Sequence, residues 1–252
     1  MACWVTGDIH GDPRRFSVDA FPEQKEMTKD DYVIILGDFG MIWSNSKDEK
    51  YWLDWLNNKP FTTLFVDGNH ESFDLLYTYP IVDYHGGKAH KIHDNIYHLM
   101  RGYVFDIDGK KFFAFGGASS HDIQDGILDP SEFDNAEDFK KVYHSFQKQR
   151  KMFRVKGFSW WEQEMPNDEE MERGRTSLKA VNNEVDFVIS HCAPQEVSSL
   201  LGYTDRDKLT WYFNELLWDG LKFKKWLFGH YHDNKQIMGK FILLYEQIIR
   251  IA

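Results

Sequence analysis

Short apolar runs alternate along the chain with segments in which apolar residues recur at helical spacing. Residues 46–59 are such a segment, and they predict an amphipathic helix whose aromatic face points inward. The apolar residues of this helix are Tyr51, Trp52, Trp55 and Leu56. The stretch around Gly86-Gly87 lacks a clear alternation and is predicted to be loop-rich. The apolar runs predict strands at 3–6, 32–36, 62–66, 103–107, 111–115, 185–190, 224–228, 235–238 and 241–245.

Turn and capping residues refine this pattern. Asp108-Gly109 separates two apolar runs and marks a hairpin. Asn167, with Glu170 three places later, marks a helix start with a capping box. The range 119–183 is predicted to be mostly helical, and it could form a helical cap inserted between strands. Strands joined through helices in this way are the sequence form of an α/β fold.

Five of the apolar runs end in a cluster rich in Asp, Asn and His. In open α/β sheets the carboxyl ends of parallel strands share one edge, so we expect the clusters to converge on a single crevice. Glycines in the clusters allow either a positive φ at a sharp turn or a close approach of the backbone as the chain leaves each strand. Each cluster alone is also typical of an ordinary turn, but five at strand ends together favour a functional site. The clusters are Gly7-Asp8-Ile9-His10-Gly11-Asp12, Gly37-Asp38-Phe39-Gly40, Asp67-Gly68-Asn69-His70-Glu71, His191 and Gly229-His230-Tyr231-His232.

The side chains in these clusters are typical of a metal centre. Imidazole, carboxylate and amide ligands without clustered thiolates suit Mn, Fe or Zn better than an iron–sulfur cluster. In the D-x-H and H-x-H motifs, the paired side chains would point to the same side of an extended segment. One cation could not use all seven candidates, whereas two could if a carboxylate bridged them. The candidates are Asp8, His10, Asp38, Asn69, His191, His230 and His232.

The motifs D-x-H, G-D, G-N-H-[D/E], H and G-H-x-H occur in this order from Asp8 to His232. The chain thereby resembles the calcineurin-like metallophosphoesterase superfamily. The resemblance implies a four-layer α/β/β/α sandwich, in which two mixed β-sheets are flanked by helices. It also implies that Asp38 bridges two divalent or mixed-valence metal ions, and that His70 stabilises or protonates the leaving oxygen beside the phosphate. The implied ligands are Asp8, His10 and His232 for the first ion, and Asn69, His191 and His230 for the second.

The resemblance predicts a dinuclear-metal-dependent phosphoesterase that hydrolyses phosphate mono- or diesters with a metal-activated water. Its substrate would be a phosphorylated small molecule or a nucleotide. Alternatives are a nuclease, a dinucleotide polyphosphate hydrolase, a Ser/Thr-type protein phosphatase or, from a different class, a non-catalytic scaffold. The protein phosphatases carry G-D-x-V-D-R-G as their second motif, but here Phe39-Gly40-Met41 follows Asp38. Their phosphate-gripping arginine is missing, so the chain looks more like the substrate-undefined bacterial or phage branch.

Composition limits the partners and the setting of this chain. Its 252 residues, 42% of them hydrophobic, suffice for one large core, so we expect a single domain over 1–252. The net charge of −10 argues against general nucleic-acid binding. No apolar run approaches the ~20 residues of a membrane helix, and the two cysteines provide no disulfide framework. Because the first motif begins at Gly7, we expect no secretory signal and a cytoplasmic protein of undefined oligomeric state.

A run of basic residues within the possible cap has two interpretations. Residues 140–156 contain seven Lys or Arg and no Asp or Glu, and Trp160-Trp161 follow. They could form a substrate collar in which cations meet phosphates and a tryptophan stacks on a base. The simpler interpretation is a solvated face, paired with the acidic start of the next helix at 168–172.

Two other groups of residues near the motifs leave alternatives open. Asp67 and Glu71 could orient His70 or the shell of the second ion, or they could cap the helix that follows. The Ser-Ser-His-Asp run at 119–122 contains the residue types of a hydrolytic triad. Such triads are recognised by geometry rather than by adjacency, so the run by itself is a weak signal.

Overall fold

The computed structural model describes residues 1–204 and 206–252. These residues form fifteen β-strands and six α-helices, together with 3₁₀-helices at Pro13–Phe16, Pro22–Glu26, Pro130–Glu132 and Glu162–Glu164. In chain order the strands and α-helices are β1 (Cys3–Thr6), β2 (Tyr32–Leu36), α1 (Lys47–Asn57), β3 (Thr62–Val66), α2 (Phe73–Leu76), β4 (Ile81–Tyr84), β5 (Gly87–His93), β6 (Ile96–Leu99), β7 (Tyr103–Ile107), β8 (Lys110–Phe115), β9 (Ile127–Leu128), α3 (Ala136–Lys148), β10 (Arg154–Val155), α4 (Asp168–Ala180), β11 (Phe187–Ser190), α5 (Gln195–Leu200), α6 (Lys208–Trp218), β12 (Lys225–Phe228), β13 (Lys235–Ile237), β14 (Phe241–Leu243) and β15 (Ile248–Arg250).

Two mixed sheets form the centre of the molecule. The seven-stranded sheet has the order β15-β1-β2-β3-β6-β5-β4, and its strands β1, β2, β3 and β6 are parallel. The six-stranded sheet has the order β13-β14-β12-β11-β8-β7, and its strands β14, β12, β11 and β8 are parallel. Antiparallel strands lie at the edges of both sheets. The parallel centre of each sheet therefore brings several carboxyl ends to one side.

Alternating side chains divide the interior into three apolar clusters. On β2, Ile34 faces the six-stranded sheet, whereas Val33 and Ile35 face the side covered by α1. On β8, Phe112 faces the seven-stranded sheet, whereas Phe113 packs with α4 and α6. Both faces of each sheet are thus covered, as the near-continuous apolar sequences of buried parallel strands require. The predicted sandwich of two mixed sheets flanked by helices is confirmed.

The predicted strands are present, most of them within one or two residues of their predicted bounds, and the hairpin at Asp108-Gly109 is confirmed. The prediction of a loop-rich stretch around Gly86-Gly87 was wrong. Residues 81–99 form β4, β5 and β6, which complete one edge of the seven-stranded sheet. Polar residues interrupt the apolar alternation there because the edge strand β4 is partly exposed and because buried positions of β5 and β6 are occupied by His90 and His98. The short edge strand β15 was not predicted either.

The helix α1 begins after Ser46, whose side chain forms a capping box with Glu49. Its buried residues are Leu53 and Leu56, whereas Tyr51 is 61% exposed, so the inward aromatic face was wrongly predicted for Tyr51. Residues two positions apart in an α-helix are rotated by about 200° around its axis. Tyr51 and Leu53 therefore lie on opposite sides of α1. Within residues 1–204 and 206–252, no helix is both long and apolar enough to cross a membrane.

The range 119–183 is less helical than predicted. Its two α-helices are α3 and α4, and the short parallel ribbon of β9 and β10 flanks α3. The helix α4 starts at the predicted capping box of Asn167 and Glu170. Met171 and Leu178 of α4 pack in the outer core of the six-stranded sheet. This helix therefore belongs to the outer layer of the sandwich rather than to a separate cap.

Candidate metal centre

The five polar clusters meet where parallel strands of both sheets end. Backbone hydrogen bonds join the loops: the N–H of His10 donates to the carbonyl of Asp38 at 2.8 Å, and the N–H of Gly229 donates to that of His191 at 2.9 Å. The five predicted clusters therefore lie together at one place in the fold. The strands lead into the predicted residues as follows: β1 into Asp8 and His10, β2 into Asp38, β3 into Asn69 and His70, β11 into His191, and β12 into His230 and His232.

Asp8, His10 and His232 form one compact group. Oδ2 of Asp8 lies 3.2 Å from Nε2 of His232 and 3.8 Å from Nε2 of His10. The two Nε2 atoms are 3.0 Å apart. Nitrogens that bind one ion at about 2.1 Å, at right angles to each other, would lie about 3 Å apart. The group thus has the spacing of a ligand set, and its members are those that the family resemblance implies for the first ion.

Asp38 lies between this group and a second one. Its Oδ1 is 3.2 Å from Nε2 of His191, and its Oδ2 is 3.7 Å from Nδ1 of His10. Its two oxygens therefore face histidines that the resemblance assigns to different ions. Asp38 is therefore the candidate for the carboxylate that the resemblance predicts between two ions.

Two buried polar atoms of the second group, Oδ1 of Asn69 and Nε2 of His191, form no hydrogen bond of good geometry within the described residues, although Nε2 of His191 lies 3.2 Å from Oδ1 of Asp38. Nδ1 of His191 bonds to the carbonyl of Leu36 at 2.7 Å, and in a neutral imidazole this leaves a lone pair on Nε2. A buried acceptor without a partner costs about 1–3 kcal/mol, and a cation would remove that cost for Oδ1 of Asn69. The ring of His230 packs edge-on against that of His191 with centroids 4.9 Å apart, but its nitrogens belong to none of the three close Asp/His groups of the described residues. Asn69 and His191 thus offer buried donor atoms, and their assignment with His230 to a second ion stays a prediction.

Left-handed backbone, rather than an extended segment, directs four of these side chains. The φ angles of His10, Asp38, His230 and His232 are 46°, 47°, 69° and 49°. The expectation that the D-x-H and H-x-H pairs lie along extended segments was therefore wrong. Positive φ costs a residue other than glycine about 1–3 kcal/mol and persists where the surrounding structure fixes it, often at functional sites.

Gly68 and Gly229 allow the carboxylates to pack against neighbouring motifs. A Cβ atom on Gly68 would collide with Oδ1 of Asp38, and one on Gly229 would collide with Oδ1 of Asp8. Neither glycine has a positive φ. Of the two expected reasons for these glycines, Gly68 and Gly229 therefore show the close approach between loops rather than the positive φ.

Burial and neighbouring charges shift the pKa values of the histidines in different directions. Burial lowers the pKa of His230 well below its usual value, and it lowers the pKa of His10 against the opposing charge of Asp38. Burial also opposes the charged form of His191, but Asp38 and Asp8 outweigh it and raise the pKa of His191 to about 10. A metal ion bound here would take the place of the proton on His191, so metal binding would release protons.

His70 lies beside the two groups. Its backbone N–H donates to Oδ1 of Asp38 at 2.8 Å, and its ring is 5.1 Å from that of His10. Nη2 of Arg154 donates to its Nε2 at 3.0 Å. Burial lowers the pKa of His70, and Arg154 lowers it further against the opposing charge of Asp38. A nitrogen of His70 also lies close to His10 and Asp38, so geometry alone leaves metal ligation open as an alternative to the predicted role beside the phosphate.

Asp67 and Glu71 stabilise the motif loops through hydrogen bonds to their carboxylates. The Glu71 carboxylate accepts the backbone N–H of Phe39 at 2.7 Å, which ties the third motif to the second. Asp67 accepts from Nε of the buried Arg101 at 2.8 Å. The helix that follows has no side-chain cap at its first residue. These carboxylates therefore orient the loops that carry Asp38 and His70 and do not cap the helix.

The basic residues at 140–156 differ in their surroundings, and the collar interpretation stays a prediction. Lys141 and Lys156 pair with acidic residues nearby in the same segment. We expected these basic residues to pair with the acidic start of α4. The first residue of α4, Asp168, instead pairs with a lysine of α6. Arg154 alone of the seven is buried and donates to a predicted site residue. The sequence offered no signal that separated it from the other six.

The cap segment, defined here as residues 119–164, contributes side chains that hold Asn69 through hydrogen bonds. Sequence analysis did not identify these side chains. Nδ2 of Asn69 donates to Oγ of Ser120 at 3.4 Å, and Oγ of Ser120 donates to Glu164 at 2.7 Å. Because a carboxylate accepts and an amide nitrogen donates, this chain directs Oδ1 of Asn69 toward the centre. We therefore expect Ser120 and Glu164 to position Asn69 as a candidate ligand.

The Ser-Ser-His-Asp run at 119–122 does not form a hydrolytic triad. Ser120 is bonded to Glu164, and Asp122 accepts from Arg154 at 2.6 Å. The ring of His121 stacks on that of His230 with centroids 4.4 Å apart. The residue types of a triad are adjacent in sequence, but their partners differ.

Replacing Ser120 by alanine should weaken metal binding about ten- to a hundredfold, because the amide of Asn69 would lose the bond that orients it. Competition with a chromophoric chelator for Mn²⁺ or Zn²⁺ measures this directly. Ser119→Ala, which removes the adjacent hydroxyl, is the matched control. Equal metal affinity in Ser120→Ala and the wild-type chain would show that Ser120 does not position a ligand.

Two packed mixed sheets, with Asp and His groups at the ends of their parallel strands, define the protein as an α/β sandwich with a candidate metal centre. The sequence profile of the calcineurin-like phosphoesterase family matches residues 1–234. The chain belongs to this family, so the resemblance seen in the motifs is confirmed. A search among curated proteins finds no match to the chain.

Proposed function

We propose that this protein is a dinuclear-metal-dependent phosphoesterase that hydrolyses phosphate mono- or diesters where its five motifs converge. The observation that carries the proposal is the set of three overlapping Asp/His groups with ligand spacing. Asp8 and Asp38 each belong to two of these groups, which supports two adjacent ions rather than one. Family membership supports the reaction class.

In this proposal, the candidate ligands of the chain would be divided between two ions. Asp8, His10 and His232 would hold one, Asn69, His191 and His230 the other, and Asp38 would lie between them. This nitrogen and oxygen donor set suits Mn, Fe or Zn. Two such ions, when bound, supply a water of lowered pKa and offset charge on the phosphoryl oxygens.

His70 would stabilise or protonate the leaving oxygen. Asp38 fixes its backbone and Arg154 fixes its ring, so the imidazole has a defined orientation at the edge of the centre. A histidine suits proton transfer near neutral pH.

The substrate would be a phosphorylated small molecule or a nucleotide. The side chains of His10 and His232 are 32% and 51% exposed, whereas those of Asp38 and His191 are buried. An ester would therefore approach from the side of the first ion. The net charge of −10 disfavours long polyanions such as nucleic acids.

Hydrolysis of p-nitrophenyl phosphate and bis-p-nitrophenyl phosphate, compared after loading with Mn²⁺ or Zn²⁺, tests the proposal. We expect turnover that a chelator abolishes and added metal restores, and the preferred ester distinguishes a monoesterase from a diesterase. A chain that binds two metal ions yet hydrolyses neither ester with any metal would contradict the proposal. That outcome would favour a non-catalytic scaffold.

A further inference from the structure

We propose that Arg154 binds the phosphoryl group of the substrate and makes the centre favour phosphate monoesters over diesters. This inference rests on the phosphoesterase function proposed above and specifies which ester the site prefers. It concerns a side chain of the cap segment, which lies outside the five motifs.

The Arg154 side chain is anchored at its base. Its Nε donates to Oδ1 of Asp122 at 2.6 Å, and its Nη1 donates to the carbonyl of Ser159 at 2.9 Å. The side chain is only 8% exposed. Ordering a free arginine costs considerable rotamer entropy, so these anchors hold the guanidinium ready for a ligand.

The outer nitrogen of the guanidinium reaches the candidate centre. Nη2 lies 3.0 Å from Nε2 of His70, and the imidazole nitrogen must accept because a guanidinium only donates. A ring nitrogen of His70 is in turn within 4.8 Å of ligand atoms of His10 and Asp38. A phosphoryl oxygen that approaches the His70 ring from this side would therefore also approach Arg154.

The guanidinium retains donors for a ligand. It has five N–H groups, and its bonds to Asp122, Ser159 and His70 use three of them. One N–H remains on each terminal nitrogen. Arginine is well suited to this contact because its charge is permanent and its hydrogen bonds to phosphate are charge-assisted.

Charge and oxygen count explain why such an arginine would select monoesters. A phosphate monoester carries a charge of about −1.5 to −2 at neutral pH, whereas a diester carries a single negative charge. A monoester also has three non-bridging oxygens. If two of them face metal ions, one remains for Arg154, but a diester has no third non-bridging oxygen.

The simpler alternative is that Arg154 only ties the cap segment to the sheet edge. Arg154→Gln and Arg154→Lys, both loaded with Mn²⁺, separate the two roles. Arg150→Gln is the matched control, because it removes an exposed arginine from the same segment. The readouts are the inhibition constant of inorganic phosphate, kcat/KM for both p-nitrophenyl esters, the metal content and the melting temperature.

We expect Arg154→Gln to raise the inhibition constant of phosphate about ten- to a hundredfold and to lower kcat/KM for the monoester by a similar factor. The diester should lose much less, metal content should not change, and Arg154→Lys should fall between glutamine and the wild type. An unchanged inhibition constant, or equal losses for both esters, would overturn the inference.

The inference and the proposed function can fail separately. If the wild-type chain hydrolyses neither ester, the phosphoesterase proposal fails, but calorimetric binding of inorganic phosphate to the Mn²⁺-loaded chain still tests Arg154. Binding weakened in Arg154→Gln and retained in Arg150→Gln would support the phosphate contact. Equal binding in both variants would overturn it.

Discussion

Replacing Asp38 by asparagine should lower phosphoesterase turnover by about a thousandfold or more and reduce the metal content of the chain. Oδ1 of Asp38 accepts the N–H of His70 at 2.8 Å and lies 3.2 Å from Nε2 of His191, while Oδ2 faces His10 at 3.7 Å. An amide keeps only one acceptor oxygen, and its nitrogen cannot bind a cation. The change also removes a negative charge that both ions would share.

Metal analysis of the purified variant, together with hydrolysis of both p-nitrophenyl esters, measures this effect. Asp19→Asn, the same substitution at an exposed aspartate, is the matched control. Circular dichroism and the melting temperature would separate loss of metal from loss of fold. If Asp38→Asn keeps the wild-type metal content and turnover within about tenfold, Asp38 does not bridge two ions.

Replacing His70 by alanine should lower turnover about a hundred- to ten-thousandfold while leaving the metal content intact. The ring lies beside the centre, and it is bonded to Arg154 rather than to a candidate ligand. If His70 protonates the leaving oxygen, the loss should be larger for an alkyl phosphate than for p-nitrophenyl phosphate, because p-nitrophenolate leaves readily without a proton. A solely electrostatic role would reduce both rates more evenly.

Comparing the two substrates in His70→Ala therefore tests the role as well as the position of this residue. His144→Ala, at an exposed histidine of α3, is the matched control. The metal content decides the alternative that the close grouping of His70 with His10 and Asp38 leaves open. Loss of an ion together with activity would identify His70 as a ligand and would require a different residue to assist the leaving group.

The motifs could be found from the sequence because each depends on a local feature. The runs before Asp8, Asp38, Asn69, His191 and His230 are strongly apolar, since their strands are buried on both faces of the sandwich. The convergence of their ends follows from parallel pairing, which brings carboxyl ends to one edge. The family resemblance added the division of these residues between two ions, and that division remains a prediction.

Elements at the edges were predicted less well because their residues are shaped by weaker constraints. Within 81–99 the edge strand β4 is partly exposed, and His90 and His98 occupy buried positions of β5 and β6, so the apolar alternation is mixed with polar residues. The left-handed conformations of His10, Asp38, His230 and His232 were missed for a related reason. Their φ angles are imposed by neighbouring loops, and no residue type in the motifs signals them.

By itself, the sequence determined the α/β class, the order of the central strands along the chain and the set of polar residues at their ends, since each follows from periodicity or from a short motif. Tertiary structure decided which distant side chains support that set. Arg154 meets His70 across 84 residues, and Ser120 meets Asn69 across 51. Such contacts depend on where the cap segment folds back, and in the sequence these residues resemble many other polar positions. Only packing selects one arginine among the seven basic residues of 140–156 and fixes the hydrogen bond that orients the amide of Asn69.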